Sequence, residues 1–134
     1  MKTVLKWLIG AVLFGNLALA GDFDEAEKKY GKGDYEKAAK LFKQSCDAGV
    51  AESCYNLGYM YNNGEGVKYD HFKAVELYKK GCDGGSALGC ISLGVSYEFG
   101  EGAREDIDKA LEYYGKACNM KSLFGCENYA RLKK

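Results

Sequence analysis

The sequence predicts an all-α protein, an α/α solenoid of disulfide-stapled helical hairpins wound into a right-handed superhelix of about seven helices. Three observations predict this class. The chain repeats itself every 36 residues, as the spacing of Cys46, Cys82 and Cys118 shows; apolar residues recur at helical spacing within each repeat; and the six cysteines form three pairs. A repeat of this length is typical of stacked two-helix units. There is no proline and no alternating apolar pattern, so no strand is predicted.

The first twenty residues have the pattern of a cleavable secretory signal peptide. Lys2 and Lys6 precede a short apolar run, and residues 18–20 are Ala-Leu-Ala, which suits signal cleavage. A transmembrane anchor is the alternative, but no charged stop and no second apolar segment follow. We therefore expect residues 1–20 to be removed, leaving a secreted or periplasmic protein without membrane contact. Because Gly21 and not a cysteine follows the cleavage site, we expect no lipid anchor.

The mature chain is expected to be nearly neutral. Lys2 and Lys6 belong to the signal peptide, which leaves 17 of the 19 basic residues against 19 acidic ones and a net charge near −2. This balance predicts no basic surface for nucleic acid. All six cysteines lie after residue 20, and an even number of cysteines in an exported chain predicts a disulfide framework.

The repeat divides the mature chain into four parts. Residues 21–33 are predicted to form an incomplete N-terminal repeat helix, and 34–69, 70–105 and 106–134 to form three units, the last serving also as the C-terminal cap. The first helix of each unit has an apolar face that, in the first unit, runs from Ala38 through Phe42 to Cys46. Each of these helices follows an aspartate that can accept the free amide hydrogens of the first turn, namely Asp34, Asp70 and Asp106.

The second helix of each unit is predicted from a pattern that contains a glycine. Leu57, Gly58 and Tyr61 return 36 residues later as Leu93, Gly94 and Tyr97. Glycine costs a helix about 1 kcal/mol relative to alanine, so we expect Gly58 and Gly94 to lie where a neighbouring helix approaches too closely for a side chain. Gly49 and Gly85, between the two helices, suit the left-handed conformation that ends a helix.

The paired cysteines are predicted to join the two helices of each hairpin. Six cysteines allow 15 pairings, but the repeat favours Cys46 with Cys54, Cys82 with Cys90, and Cys118 with Cys126, because one geometry then serves all units. A zinc site is the alternative, yet the sequence has no C-x-x-C pair and one histidine, His71. We therefore expect no metal and no cofactor.

The A-x-x-L-Y/F-x-K-x-C run, the C-x-x-L-G-x-x-Y helix and the G-x-G connection resemble the Sel-one-like repeat family (SLR), relatives of the tetratricopeptide repeats. The resemblance covers almost all of residues 34–134 and is strongest to its cysteine-rich secreted branch, the Helicobacter cysteine-rich proteins. The third unit departs from the pattern, with Lys121 in place of the turn glycine. We interpret it as a cap whose basic residues, Arg131, Lys133 and Lys134, meet the negative end of the last helix.

Members of that branch are commonly labelled penicillin-binding proteins or β-lactamases, so the resemblance implies hydrolysis of β-lactams. The residues do not display that chemistry. No serine has a lysine three residues on, as S-x-x-K requires, and a zinc enzyme would need several histidines. Whether the protein is an enzyme stays open, its catalytic residues are unknown, and any hydrolysis is expected to be slow.

The other hypothesis is a binding scaffold, because stacked hairpins curve into a superhelix with a groove suited to an extended ligand. We expect the partner to be a protein, a peptide or a peptidoglycan fragment. Residues of the second helices that lie off the core face are the candidates for lining this groove: Tyr55, Asn56, Tyr59, Ser92, Ser96 and Asn128.

Overall fold

The computed structural model describes residues 21–134, and the predicted signal peptide lies outside the described residues. Residues 21–134 form seven helices and no strand. The described part of α1 covers residues 21–31. The other helices are α2 (Tyr35–Asp47), α3 (Ala51–Asn63), α4 (His71–Asp83), α5 (Ala87–Phe99), α6 (Ile107–Asn119) and α7 (Leu123–Lys133). None of the described helices is long and apolar enough to cross a membrane. The predicted all-α solenoid is confirmed.

The turn inside each hairpin passes through a residue in the left-handed conformation. Gly49 and Gly85 have φ angles of 100° and 104°, as the sequence predicted, and Lys121 takes the same role in the third hairpin with a φ of 67°. The next helix starts two residues later, after a single N-cap residue. Ser86 and Ser122 cap α5 and α7, because their hydroxyls accept hydrogen bonds from backbone amides of the first turn.

Two of the three predicted aspartate caps are confirmed. The Lys73 amide donates to Asp70 at 3.1 Å, and the corresponding bond to Asp106 is 3.0 Å long. Asp34 occupies the N-cap position of α2, but its side chain makes no cap hydrogen bond. Its backbone, at φ −85° and ψ 68°, departs from the extended conformation of the other two caps. The carboxylate lies 3.6 Å from the Nζ of Lys37 instead.

The helices stack in two layers. Each helix from α2 onward packs against the next, and α3 also contacts α5, which in turn contacts α7. The odd-numbered helices therefore line one side of the solenoid, and α2, α4 and α6 form the other.

The close approach predicted at two helical glycines is confirmed. A Cβ added at Gly58 would lie 2.8 Å from the Tyr78 ring of α4, and one at Gly94 would lie 2.7 Å from the Tyr114 ring of α6. Both rings are buried. The glycines therefore let a tyrosine of the next hairpin lie flat against the preceding helix, which joins successive repeats.

Three disulfides join the helices within hairpins. The bonded pairs are those that the repeat favoured: Cys46–Cys54, Cys82–Cys90 and Cys118–Cys126. The Cα atoms of each pair lie 4.4 to 4.7 Å apart, within the usual range for a disulfide. In each hairpin the two cysteines face each other across the tight turn, so the bond fixes the angle at which the helices leave it.

Candidate functional site

A pocket of about 350 Å³ opens between α1 and α3. Three of the six predicted groove residues line it, together with residues of α1 and one buried aromatic ring of α2. We call it the tyrosine pocket, and its lining residues are Glu27, Tyr30, Gly31, Phe42, Tyr55, Asn56 and Tyr59. The helical repeat brings them together, because residues three or four positions apart share one side of a helix.

Tyr30 is held in place by an acidic residue of the connection that follows α3. Its hydroxyl lies 3.1 Å from both carboxylate oxygens of Glu65 and donates to that group. Its ring lies 5.0 Å from that of Tyr35. Burial, followed by the hydrogen bond and the negative charge of Glu65, raises the pKa of Tyr30 to about 12. The Tyr30 hydroxyl is therefore a protonated, oriented donor at neutral pH.

The two tyrosines from α3 differ in exposure. Tyr55 is half-buried, its ring centroid lies 6.0 Å from that of Tyr78, and burial raises the pKa of its hydroxyl. Tyr59 is 43% exposed. Phe42, at 2% exposure, closes the base of the pocket. The pocket thus has fixed aromatic walls on the side of Tyr30 and Tyr55, and it is open to solvent at Tyr59.

The other three predicted groove residues lie outside this pocket. Ser96 is 6% exposed, and its hydroxyl donates to the Ser92 carbonyl at 2.9 Å, so it offers little surface to a ligand. Ser92 is half-buried on α5. The Asn128 amide on α7 donates to the Phe124 carbonyl, and its side-chain oxygen accepts a bond from Arg131. The Ser96 and Asn128 side chains are therefore engaged in local hydrogen bonds, whereas the Ser92 hydroxyl makes none within the described part of the chain.

The structure also contains a buried carboxylate, that of Glu98, whose role the sequence did not reveal. The Glu98 carboxylate accepts a 2.7 Å hydrogen bond from the Tyr114 hydroxyl and lies 2.8 Å from the Arg131 guanidinium. Burial, then the hydrogen bond and charge of Glu98, raises the pKa of Tyr114. Arg131 had been expected to meet the dipole of the last helix; it pairs with Glu98 instead, because a buried carboxylate needs a cation more than a solvated helix end does. A glutamate near the end of an amphipathic helix gives no sequence signal for this role.

Most serine hydroxyls of residues 21–134 are engaged in hydrogen bonds within the fold; that of Ser92 makes no such hydrogen bond. The buried Ser53 donates to the buried Ser45 at 2.6 Å, and two further serines cap helices. Within residues 21–134, no hydrogen bond joins a serine hydroxyl to a lysine, histidine or carboxylate, the groups that activate a serine nucleophile. The acidic, histidine and cysteine side chains of this region also form no group of three or more that could hold a metal ion.

These features define a class of protein, the disulfide-stapled α/α repeat proteins with a recessed surface on one helical layer. The Sel1 repeat model matches residues 19–50, 51–86 and 87–122. The chain belongs to the Sel1 repeat family, as its motifs predicted.

The relatives of this chain include cysteine-rich proteins of Helicobacter pylori. The chain is 40% identical over 74 residues to the protein named "Putative beta-lactamase HcpE", a match that covers 50% of this chain and 21% of HcpE. HcpD, with the same label, is 39% identical over 69 residues, which cover 46% of this chain and 22% of HcpD. The match thus spans about a fifth of the length of these relatives.

Solved structures share the fold. The H. pylori cysteine rich protein B has a TM-score of 0.66 at 31% identity, over 68% of each chain. A protective antigen of uropathogenic Escherichia coli with an SLR fold has a TM-score of 0.80 at 24% identity, over 86% of this chain and 26% of that one. At that identity the second likeness concerns the fold alone.

Proposed function

We propose that the protein is an exported Sel1 repeat scaffold that binds a protein or peptide segment along its odd-numbered helices. The tyrosine pocket carries the proposal. It combines aromatic rings, one amide and one carboxylate above a buried phenylalanine. A concave, mostly apolar surface with a few polar groups is typical of a ligand site, and tyrosine is enriched in interfaces because it offers a large ring and a hydrogen-bonding tip.

Export is supported by two independent features. Residues 1–20 have the charge and apolar pattern of a signal peptide, and all six cysteines are paired in disulfides. Disulfides form and persist in oxidising compartments. We therefore propose a periplasmic or secreted location. Expression of the full-length gene in a bacterial host, followed by the intact mass of the periplasmic product, tests this: cleavage before Gly21 and three disulfides are expected, and an uncleaved cytoplasmic product would contradict it.

The binding proposal can be tested with peptides selected from a random phage-displayed library against the oxidised, exported protein. We would measure the Kd of each synthetic peptide by fluorescence polarisation. Tyr59→Ala should weaken binding about tenfold, since exposed aromatic anchors dominate such interfaces. Phe72→Ala is the matched control, because Phe72 is 74% exposed on α4, in the other layer. Failure to select any peptide, or equal effects of the two substitutions, would contradict the proposal.

Slow β-lactam hydrolysis is the alternative function, and the names of the Helicobacter relatives suggest it. Binding of peptidoglycan fragments is a variant of the scaffold role. Intact mass after incubation with a penicillin, with hydrolysis followed in the same sample, separates the enzyme from the scaffold. A covalent adduct or turnover that disappears when one serine is replaced would favour the enzyme and locate its nucleophile. An unmodified mass without turnover would favour the scaffold.

A further inference from the structure

We infer that the tyrosine pocket receives a positively charged side chain, lysine or arginine, of the bound peptide segment. This inference rests on the proposed function and specifies what the pocket recognises. The chemistry is that of a cation placed among electron-rich aromatic faces with a carboxylate at the rim.

The charges around the pocket favour a cation. Glu27 is the one charged residue that lines it, and Glu65 lies directly behind the Tyr30 hydroxyl. The nearby basic residues of α1 do not fill the pocket: Lys28 lies about 100° around the helix from Glu27, and Lys29 lies 3.8 Å from the Glu25 carboxylate. A cationic side chain entering the pocket would therefore meet net negative charge.

Elsewhere the protein already places its own lysines over tyrosine rings. In three such pairs the ammonium nitrogen lies between 4.9 and 5.1 Å from the ring centroid. The pairs are Lys109 over Tyr97, Lys116 over Tyr113, and Lys133 over Tyr129. In the part of the chain that the structure describes, no lysine lies over the three tyrosines of the pocket in this way, and Tyr59, at 43% exposure, offers the most open ring to a cation from another molecule.

Two other surface pockets contain basic residues of their own. One, beside α2 and the connection after α3, is lined by Lys40 and Lys43. The other, at the connection between α5 and α6, is lined by Arg104 and Lys109. The tyrosine pocket differs from both because it combines several tyrosines with a carboxylate and no lining lysine or arginine.

Titration of the exported, ¹⁵N-labelled protein with single amino-acid derivatives at constant ionic strength tests the inference. N-acetyl-lysine methylamide and N-acetyl-arginine methylamide should shift the backbone amide signals of residues 27–31 and 55–59 saturably. N-acetyl-norleucine methylamide, which has a similar chain but no charge, should bind at least about threefold more weakly. Equal affinity of the charged and uncharged derivatives, or shifts confined to other surfaces, would overturn the inference.

Matched variants locate the effect. Glu27→Gln should weaken binding of the lysine derivative about threefold, because it removes the carboxylate without changing the side-chain shape. Glu76→Gln, at an exposed position on α4, removes the same charge from the other layer and should leave the affinity unchanged. If both variants bind equally well, the carboxylate does not contribute and the inference fails.

The failure of this inference can be distinguished from the failure of the proposed function. Peptides selected by phage display can be resynthesised with each lysine or arginine replaced by norleucine. If they still bind the pocket with full affinity, the scaffold role stands and the cation preference is overturned. If no peptide binds while the lysine derivative does, the cation preference is supported and the peptide-binding role is contradicted.

Discussion

Replacing Gly94 by alanine is expected to destabilise the protein, although alanine is the better helix former by about 1 kcal/mol. The new Cβ would lie 2.7 Å from the Cε1 atom and 2.8 Å from the Cδ1 atom of Tyr114. That ring is fully buried, and its hydroxyl is tied to Glu98 by a 2.7 Å hydrogen bond. Overpacking costs about 1–3 kcal/mol, and weakening a hydrogen bond to a charged group costs about 1.5–3 kcal/mol. We expect a net loss of about 2–4 kcal/mol.

The measurement is urea unfolding of the oxidised protein, followed by far-UV circular dichroism. Gly115→Ala is the matched control, because Gly115 is also helical and a Cβ there would meet nothing closer than the Tyr129 ring at 3.4 Å, an ordinary contact. That variant should be unchanged or more stable by up to about 1 kcal/mol. If Gly94→Ala is as stable as Gly115→Ala, the Tyr114 ring can move aside and the proposed reason for the glycine is refuted.

Cys82→Ser should lower the free energy of unfolding by about 2.6 kcal/mol, the value that the chain-entropy model gives for cysteines 8 residues apart. Alkylation of the unreduced, unfolded variant should label Cys90 alone. Labelling of another cysteine would contradict the pairing. Arg131→Met should lower the free energy of unfolding in urea by about 1–2 kcal/mol, because it leaves the buried Glu98 carboxylate without its half-exposed cation. The double variant with Glu98→Gln should recover part of this loss. If the losses of the two single variants simply add in the double variant, the two residues are not coupled. Stability should fall as pH rises from about 10 to about 12, because the pKa of Tyr30 is about 12 in the folded protein and the unfolded chain loses this proton first. Tyr30→Phe should reduce the slope of the pH dependence of urea unfolding in that interval without abolishing it, because burial also raises the pKa of Tyr55 and Tyr114; an unchanged slope would contradict the assignment.

The features that repeat were the ones the sequence could predict. Cysteines at equal spacing, glycines at the turns and the Gly58 and Gly94 positions recur because each hairpin must solve the same packing problem. Because these residues recur at a fixed spacing, the packing requirement of the hairpins can be recognised from the sequence alone. The second helices, the disulfides and the close approach of a neighbouring helix at Gly58 and Gly94 all follow from that repetition.

The features that occur once were predicted less well. Asp34 resembles two aspartates that do cap helices, but the preceding connection, with its left-handed Gly33, holds its backbone in a different conformation. The sequence does not mark Tyr30 and Glu27 as pocket residues, because the contact of α1 with α3 depends on the packing between units. Glu98 gave no signal, because its burial depends on Tyr114 and Arg131 in two later helices.

The same contrast between repeated and single features appears along the odd-numbered layer. Tyr59, Val95 and Arg131 lie 36 residues apart and occupy equivalent positions on α3, α5 and α7, yet they share no chemistry. The repeat therefore does not require one type of side chain at this position. Arg131 already pairs with Glu98, and Val95 carries no charge. At the α1–α3 end of the layer, the Glu27 carboxylate and the neighbouring tyrosines line a pocket that contains no lysine or arginine. If a peptide binds along this layer as proposed, we expect its cationic side chain to contact the α1–α3 end, and the remainder of the peptide to extend toward α5 and α7.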